Sequence, residues 1–367
     1  MRIRAAVLER FAEPLNVTEL ELAEPRAGEV LVRLAACGVC HTDMYTASGA
    51  DPSGYAPTVL GHEGAGFVER VGEGVRSVSA GDLVVTLFSP QCRQCVHCKS
   101  PDTNICLAIR EQQNLGHLPD GTTRLSRDGV PIRHFMGCST FAQYTVMPEI
   151  ALAKVPPQTP PDRACLFACG LSTGLGAAIN TAKVRPGSTC VVFGAGMVGL
   201  GAVAGCRLQR AERIVCIDLS QERLALARHH GATDTWIADE HTVDRVLEET
   251  GGFGADYTFE ATGLVAVMRQ AVQAARMGWG LCTICGVAGR GETLDVVPRL
   301  LITGRRICGS SFGGVKGRDQ VPELVGLYLD GRLDVDSFIS HRISLEEVNR
   351  GFELMQRQDG IRTVIEL

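Results

Sequence analysis

Three features that often decide the class of a protein are missing from this sequence. The first residues, MRIRAAVLERFAEP, contain no apolar run of signal-peptide length. Acidic and basic residues are mixed along the chain, with a formal net charge of −5, whereas a nucleic-acid-binding protein would have a basic face or tail. There is also no low-complexity tract and no internal repeat. We therefore expect a cytoplasmic protein that binds neither nucleic acid nor membrane.

One segment imitates a membrane span. Residues 188–206, STCVVFGAGMVGLGAVAGC, carry no charge and approach spanning length. The segment is the only one of its kind, however, and it contains glycine at positions 194, 196, 199, 201 and 205. A buried strand followed by a turn and a helix explains this pattern better than a membrane helix does.

The size and the cysteine content of the chain narrow its class further. It has 367 residues, 45% hydrophobic and 21% charged, which is typical of a globular protein with room for two domains. Its 15 cysteines are an odd number in a chain too long for a small secreted disulfide scaffold. Seven of them lie in apolar runs and are expected to be small buried hydrophobic residues: Cys165, Cys190, Cys206, Cys216, Cys282, Cys285 and Cys308.

Four other cysteines cluster in QCRQCVHCKSPDTNIC, residues 91–106. Disulfides are disfavoured by the expected compartment, and a bacterial ferredoxin motif has three residues before its last cysteine where this segment has seven. His97 is an alternative ligand, but the regular spacing already places a cysteine on each side of it. Zinc bound by four thiolates is favoured, and such a closed site is structural because no position is left for substrate. These residues, the cysteine quartet, are Cys92, Cys95, Cys98 and Cys106.

A second, dispersed set of residues is typical of a metal site that stays open. CGVCHTD contains Cys40 at the end of a strand-like run, and LGHEGAG contains His62 and Glu63. LFACGLSTGLGAA has Cys169 just before a helical pattern. Two cysteines, one histidine and a water molecule form a known catalytic zinc arrangement. Each residue alone is a weak signal, but their order around the cysteine quartet makes the set specific.

A dinucleotide-binding motif follows the strand-like run STCVVF. GAGMVG matches G-x-G-x-x-G between a strand and a helix, the context that this motif requires. Gly194 permits the tight turn, Gly196 the approach of the pyrophosphate, and Gly199 close packing of helix on strand. The next strand, RIVCID, ends at Asp218, 19 residues beyond Gly199. A carboxylate there binds the adenosine ribose and repels a 2′-phosphate, so NAD is expected rather than NADP.

The order of the remaining elements predicts the fold class. Helical patterns such as SQERLALARHHGA alternate with strand-like runs such as ADYTFEAT, which predicts an α/β Rossmann domain with a doubly wound parallel sheet. The first 170 residues are instead short strands and turns rich in glycine and proline. We expect a β-rich catalytic domain at 1–171 with its zinc lobe at about 90–107, a coenzyme domain at 172–312, and a return segment at 313–367 that completes the catalytic domain.

Together these residues resemble the zinc-dependent medium-chain alcohol dehydrogenases. The resemblance covers essentially the whole chain and is greatest to class III, the glutathione-dependent formaldehyde dehydrogenases. Further segments that carry it are CGVCHTDMYTASGADPSG, MGCSTFAQYTV, STGLGAAINTAKVRPGS, FGGVK and IRTVIEL. It implies a GroES-like catalytic domain, a homodimer, one catalytic and one structural zinc per chain, and NAD. The implied reaction is reversible hydride transfer to NAD from a primary alcohol or hemithioacetal whose oxygen is bound to zinc.

The resemblance also implies roles for residues around the catalytic zinc. Cys40, His62 and Cys169 are implied to bind this ion, with Glu63 behind it as an occasional alternative ligand. Asp43 is implied to orient His62, which agrees with the general need of ligating histidines for a hydrogen-bond partner.

Further roles concern the proton and the coenzyme. Thr42 is implied to take the alcohol proton and pass it towards the coenzyme ribose. Some relatives end this relay on a histidine three residues further on, where this chain has Tyr45, as class III does. His41 and Arg362 are implied to contact the pyrophosphate, and Arg223 the adenosine end. A solvated surface charge is the alternative interpretation for both arginines.

The implied substrate pocket departs from that of class III. Asp51 and Arg110 match two charged positions that hold the glutathione adduct. Ser53 and Met277 stand where class III has a glutamate and a lysine, so both changes remove a charge that would strengthen binding of a zwitterionic thiol.

The walls of the pocket also become more apolar, since Phe88 and Phe135 replace the usual tyrosines. We expect a medium-chain, long-chain, terpenoid or aromatic alcohol as substrate, with S-(hydroxymethyl)glutathione as the alternative. A zinc-free enone or quinone reductase and a non-catalytic zinc- and nucleotide-binding module are less favoured alternatives. The first has no need of the dispersed ligands, and the second has no need of Thr42 and Asp43.

Overall fold

The structure is a computed structural model that describes residues 1–51 and 53–367. The chain forms two compact units. The first unit contains Met1–Cys169 together with Lys316–Leu367, and the second unit contains Gly170–Val315.

The secondary structure of the described residues consists of strands, α-helices and short 3-10 turns. The strands are β1 (Arg2–Leu8), β2 (Asn16–Leu22), β3 (Glu29–Gly38), β4 (Thr58–Val59), β5 (Glu63–Val71), β6 (Leu83–Thr86), β7 (Leu125–Arg127), β8 (Val130–His134), β9 (Tyr144–Pro148), β10 (Leu152–Lys154), β11 (Thr189–Phe193), β12 (Arg213–Asp218), β13 (Asp234–Ile237), β14 (Tyr257–Glu260), β15 (Leu281–Ile284), β16 (Arg306–Gly309), β17 (Ile339–Ser344) and β18 (Arg362–Glu366). The helices are α1 (His41–Ala47), α2 (Val96–Lys99), α3 (Arg110–Asn114), α4 (Pro161–Ala164), α5 (Gly170–Gly176), α6 (Met197–Leu208), α7 (Gln221–His230), α8 (Thr242–Glu248), α9 (Val265–Ala274), α10 (Pro298–Ile302), α11 (Gly317–Leu329) and α12 (Val348–Gln356).

The strands of the first unit form a barrel and a mixed sheet. The closed barrel has the order β1–β2–β7–β8–β4, and the mixed sheet has the order β10–β6–β5–β3–β18–β17, with β9 also paired to β3. Ile3, Ala5 and Val7 alternate along β1 and pack in the barrel core, because successive side chains of a strand point to opposite faces. Strand β18 pairs antiparallel with the end of β3 at Cys37 and Gly38. The last strand of the chain therefore lies beside the strand end that leads to Cys40.

The second unit is built on a six-stranded sheet with the order β13–β12–β11–β14–β15–β16. All of its strand pairs are parallel. The order reverses between β11 and β14, and open α/β sheets bind dinucleotides at such a reversal. The predicted doubly wound parallel sheet is confirmed.

The segment that imitates a membrane span, residues 188–206, forms β11 and most of α6. Its apolar side chains are buried within the second unit, as expected for a parallel strand covered on both faces. Among the described residues no single helix is long and apolar enough to cross a membrane. One bent pair, Pro161–Ala168 with Gly170–Thr181, passes that test by length and composition only.

All fifteen cysteines belong to the described residues, and none of them is in a disulfide. Of the seven expected to be small buried hydrophobic residues, five are fully buried, whereas Cys285 and Cys308 are only partly buried. Both of these lie near the carboxyl ends of strands at one side of the parallel sheet, where covering is less complete.

Candidate active site

The junction of β3 and α1 holds the first part of the candidate catalytic site. Cys40 precedes the helix in an extended conformation, and Asp43 lies in the first turn. The buried Asp43 carboxylate accepts three hydrogen bonds of 3.0 Å, from Cys40 N, Gly61 N and His62 Nδ1. Because Nδ1 is engaged in this way, Nε2 is the ring atom of His62 that is left to bind a metal.

Four potential ligands meet at this point. The ligand atoms of Cys40, His62, Glu63 and Cys169 all lie within 4.8 Å of one another. In the part of the chain that the structure describes, buried His62 Nε2 and Glu63 Oε2 have no hydrogen-bond partner, and such atoms are rare in folded proteins. Thiolates, imidazole and carboxylate are zinc donors, so this group of residues fits a zinc ion.

The electrostatics of the group favour a bound cation. Hydrogen bonding from the Cys169 thiol, together with the nearby His62 ring, holds the pKa of the Cys40 thiol well below its ordinary value although burial opposes this. Burial also opposes a charge on His62, but Asp43 and Cys40 outweigh it and raise the pKa of the imidazole well above its ordinary value. Burial raises the pKa of Glu63 to about 8. Burial thus disfavours a negative charge on Glu63 unless a cation lies beside it, as a zinc ion held by these residues would.

Arg362, at the start of β18, lies beside this group. Its Nη2 is 3.2 Å from Glu63 Oε1, and its Nη1 donates a hydrogen bond to the Val39 carbonyl. Only 6% of the residue is exposed, so the surface-charge alternative is wrong for Arg362. The implied contact with the pyrophosphate stays a prediction.

The cysteine quartet forms a separate group at the lobe that contains α2. The four Sγ atoms lie within 4.8 Å of one another, with Cys92 Sγ 3.8 Å from Cys98 Sγ and Cys95 Sγ 4.0 Å from Cys106 Sγ. Backbone N–H groups point at the sulfurs: Cys95 N donates to Cys92 Sγ and Cys98 N to Cys95 Sγ. Such N–H donors, the Leu107 N–H first, lower the pKa of Cys95 to about 6, whereas burial raises the pKa values of Cys98 and Cys106. This donor set fits a closed, structural zinc site.

The glycine motif joins β11 to α6 at the reversal of strand order. Gly194 has φ +96°, and a Cβ on Gly199 would lie 1.8 Å from the Gly194 carbonyl oxygen, so neither position accepts a side chain without displacement. A Cβ on Gly196 would meet no described atom within 4 Å, which leaves open space in front of the helix. No described side chain caps α6, so its first N–H groups remain available to the phosphates of NAD.

The acidic residue predicted to bind the ribose lies at the end of β12. Asp218 Oδ2 accepts a hydrogen bond of 2.7 Å from Ala195 N in the glycine turn, and Oδ1 accepts one of 2.9 Å from Ser220 N. Arg223 follows in the first turn of α7, where its N–H donates to the Ser220 hydroxyl. The structure therefore brings Asp218 next to the glycine motif and Arg223 to the adjacent helix start.

One buried carboxylate at this edge of the sheet is not among the predicted site residues. Glu260 ends β14, and its Oε1 accepts hydrogen bonds from Thr262 N, Thr262 Oγ1 and Gly263 N at 2.6, 2.6 and 2.8 Å. Within the described chain its buried Oε2 has no partner. A glutamate at the end of the strand-like run ADYTFEAT was the available signal, since a charged residue there faces the reversal point.

Two phenyl rings form the wall next to His62. The Phe88 ring packs edge-on against the imidazole, with centroids 5.7 Å apart, and the Phe135 ring does so at 5.9 Å. Gln113, which sequence reasoning also missed, donates hydrogen bonds to the backbone of both wall segments. No sequence signal marks it, because its partners are backbone atoms distant in the chain.

The residues compared with the charged positions of class III differ in their surroundings. Asp51 Oδ2 accepts a hydrogen bond from Thr46 Oγ1, and Oδ1 accepts two from Ser53, through its N–H and its hydroxyl. Arg110 is exposed at the start of α3. Met277 lies in the second unit just before β15, at the amino ends of the parallel strands, with its N–H bonded to Phe253 O. It therefore lies at the opposite edge of that sheet from the glycine motif.

The remaining predicted residues lie on α1. Thr42 Oγ1 is 3.7 Å from Cys40 Sγ, and both Thr42 and Tyr45 are partly buried. His41, the first residue of the helix, is exposed.

Comparison with known proteins places this geometry in a family. Residues 26–157 match the alcohol dehydrogenase GroES-like domain, and residues 197–330 match the zinc-binding dehydrogenase domain. The chain belongs to the zinc-binding alcohol dehydrogenase family, whose members are oxidoreductases. The predicted GroES-like fold, the zinc and NAD cofactors and the enzyme class are confirmed at the level of this family.

Relatives of two kinds cover the whole chain. Alcohol dehydrogenase class-3 of Myxine glutinosa is 48% identical over 99% of this chain and 97% of its own length, and an S-(hydroxymethyl)glutathione dehydrogenase of Escherichia coli is 48% identical over 100% of both. Among solved structures, an alcohol dehydrogenase zinc-binding domain protein from Burkholderia ambifaria superposes with a TM-score of 0.94 at 34% identity. Benzyl alcohol dehydrogenase from Acinetobacter calcoaceticus superposes with a TM-score of 0.92 at 30% identity. Each structure covers 100% of this chain and is itself covered to 99%.

Proposed function

We propose that the protein oxidises apolar primary alcohols, of the aromatic, terpenoid or medium- to long-chain type, with NAD as hydride acceptor, and that it catalyses the reverse reduction of the aldehydes. The observation that carries this proposal is the pair of phenyl rings packed against His62. An apolar wall beside the reacting centre favours apolar substrates, because their burial removes hydrocarbon from water. The superposable benzyl alcohol dehydrogenase acts, by its name, on a substrate of this kind.

The state of Asp51 supports the same substrate class. Both of its carboxylate oxygens already accept hydrogen bonds from Thr46 and Ser53, so they are less available to an ammonium group of glutathione. The exposed guanidinium of Arg110 and the names of the 48%-identical relatives favour a second candidate, oxidation of S-(hydroxymethyl)glutathione.

Roles follow for the residues of the first unit. Zinc supplies Lewis-acid chemistry that lowers the pKa of an alcohol, and NAD accepts the hydride. Cys40, His62 and Cys169 would hold this zinc, with Glu63 as a further donor. Asp43 holds the His62 ring through Nδ1, and Thr42 Oγ1 takes the proton of the substrate hydroxyl.

Roles in coenzyme binding follow for the glycine motif and for several side chains. Gly194, Gly196 and Gly199 would admit the pyrophosphate to the N-terminus of α6, and Asp218 would bind the ribose. Further donors to the coenzyme would be His41, Arg223 and Arg362. Buried Arg362 Nε, which has no partner among the described residues, is free to bind an anion.

The assembly and location of the protein belong to the same proposal. We infer a homodimer formed through β16, the edge strand of the parallel sheet, because Val297, Leu301 and Ile302 on and beside α10 are exposed apolar residues next to it. Fifteen cysteines without a disulfide among the described residues support a cytoplasmic location. The domain boundaries 1–171, 172–312 and 313–367 are kept as part of this proposal.

The test is NADH formation from NAD with two sets of substrates. One set is formaldehyde with and without glutathione, and the other is a panel of long-chain, terpenoid and aromatic primary alcohols. Rapid, glutathione-independent oxidation of the alcohols would support the proposal. Strong acceleration of formaldehyde oxidation by glutathione, with slow turnover of the panel, would overturn the substrate class in favour of the second candidate.

A further inference from the structure

Gln113 connects the two segments that carry the phenyl wall. Its side-chain Nε2 donates one hydrogen bond of 2.8 Å to the Phe88 carbonyl and another of 2.7 Å to the Met136 carbonyl. A primary amide nitrogen has two hydrogens, so both donors are used, one on each segment.

The two segments come from different sheets. Phe88 follows β6 of the mixed sheet, whereas Phe135 and Met136 follow β8 of the barrel. Each segment presents a phenyl ring to the same imidazole, that of His62. The amide of Gln113 is therefore a bridge between two separately supported walls, and its length sets how far apart their backbones lie.

The second of these segments has a conformation that needs support. Met136 has φ +51° and Gly137 has φ +68°, and the left-handed region is unfavourable for a residue with a side chain. The Met136 carbonyl accepts the bond from Gln113 and a weaker one from Cys138 Sγ. Loss of the Gln113 donor would leave this carbonyl only the weaker bond, while the hydrogen bonds between Phe135 and Ser139 keep the turn folded, so the turn that carries Phe135 would shift without unfolding.

We propose that Gln113 is a positioning residue that sets the separation of Phe88 and Phe135 and thereby selects flat, apolar alcohols over small ones. This inference rests on the proposed substrate class. A slot of fixed width holds a planar ring in the reactive orientation, whereas a small alcohol reaches the same centre without touching both walls. Small displacements of positioning groups are known to have large effects on rate.

The experiment compares Gln113→Glu and Gln113→Met with Gln112→Glu in the full-length enzyme loaded with zinc. A carboxylate or a thioether has the length of the amide but cannot donate to either carbonyl. Gln112, next to it on α3, makes neither of the two bonds and controls for the added charge. The measured quantity is the ratio of kcat/KM for benzyl alcohol to that for ethanol, together with zinc content and the Kd for NADH.

Both Gln113 variants are expected to lower this ratio about tenfold, mainly through the KM for benzyl alcohol, because two oriented hydrogen bonds are lost. Zinc content and the Kd for NADH stay unchanged, and Gln112→Glu keeps the wild-type ratio. A ratio within twofold of wild type in either folded variant would overturn the proposal. So would an equal loss with both alcohols, which indicates general damage rather than selection. Glutathione dependence of the wild type would refute the substrate class, whereas the benzyl alcohol to ethanol ratio would still decide the role of Gln113.

Discussion

The two candidate metal sites differ in how they are built. The ligands of the cysteine quartet all come from one loop, residues 91–106, and that loop points its own N–H groups at the sulfurs. Cys40, His62 and Cys169 instead come from three separate parts of the chain, and the buried carboxylate of Asp43 holds the first two. The first arrangement offers four thiols to one ion, whereas in the second, His62 Nε2 and Glu63 Oε2 have no hydrogen-bond partner among the described residues. The comparison teaches that a structural site can be local, whereas an open site needs the rigid support of the whole fold.

The largest effect is expected from removal of a ligand at the open site. His62→Ala should lower kcat at least about 1,000-fold, because the Lewis acid loses its support, and should leave one zinc per chain. Activity assays and metal analysis of the purified protein measure both. The control is His97→Ala, since His97 bonds to Ile105 O beside the cysteine quartet, whose four sulfurs already supply a complete ligand set. Two zinc ions retained in His62→Ala would contradict the assignment.

Removal of a ligand at the closed site should lower the stability of the protein more than the activity of the molecules that remain folded. Cys98→Ser is expected to cost about 4 kcal/mol of unfolding free energy, as losses of structural metals do, and to lower Tm by about 8 °C or more. The molecules that stay folded keep their catalytic zinc. Thermal unfolding and metal analysis test this, with Cys308→Ala as the cysteine control in the parallel sheet. A variant with wild-type Tm but no activity would reverse the roles of the two sites.

A smaller effect is expected from the carboxylate behind His62. Asp43→Asn keeps the shape but replaces one acceptor oxygen by an NH2 group, so the side chain can no longer accept all three hydrogen bonds from Cys40, Gly61 and His62. Zinc affinity at the open site should fall about 10- to 100-fold, the usual effect of losing such a partner. Competition with a chelator of known affinity measures it. Asp102→Asn, an exposed carboxylate near the cysteine quartet, should leave both affinities unchanged.

The smallest effect is expected where the closed lobe meets the return segment. Lys316 Nζ donates to the carbonyls of Cys98 and Ser100 at 2.9 and 2.6 Å. Lys316→Met removes both bonds and should destabilise the lobe by roughly 1 kcal/mol, a small loss because the ammonium is only partly buried and two hydrogen bonds to it contribute little net stability. Zinc transfer from the lobe to a chromogenic chelator should become a few times faster. Lys99→Met, an exposed lysine of the same lobe, should not change that rate. An unaltered rate of zinc transfer in Lys316→Met would show that the lobe holds zinc without help from Lys316.

The predicted motifs and the tertiary contacts account for different parts of the candidate site. The glycine motif and the cysteine quartet were predictable because residues close in sequence are close in space for simple reasons of chain length. The placement of Gln113 was not, since it donates to backbone atoms of two segments that are distant in the chain. Glu260 was missed although its partners are local and its position at the end of a strand-like run was visible. Met277 shows a related limit. Its match to a family position did not predict that it lies at the amino ends of the parallel strands.

By itself the sequence determined the alternation of strands and helices, the turn at Gly194, the quartet loop and the chemical types of the ligands, all of which follow from local spacing and backbone geometry. Only the tertiary structure decided that the ligand atoms of Cys40, His62, Glu63 and Cys169 lie within 4.8 Å of one another, and that two phenyl rings flank the imidazole. Those distances depend on the register of β3 with β5 and β18 and on how the barrel packs against the mixed sheet. Contacts of this kind between distant segments arise from packing, which no short stretch of residues encodes.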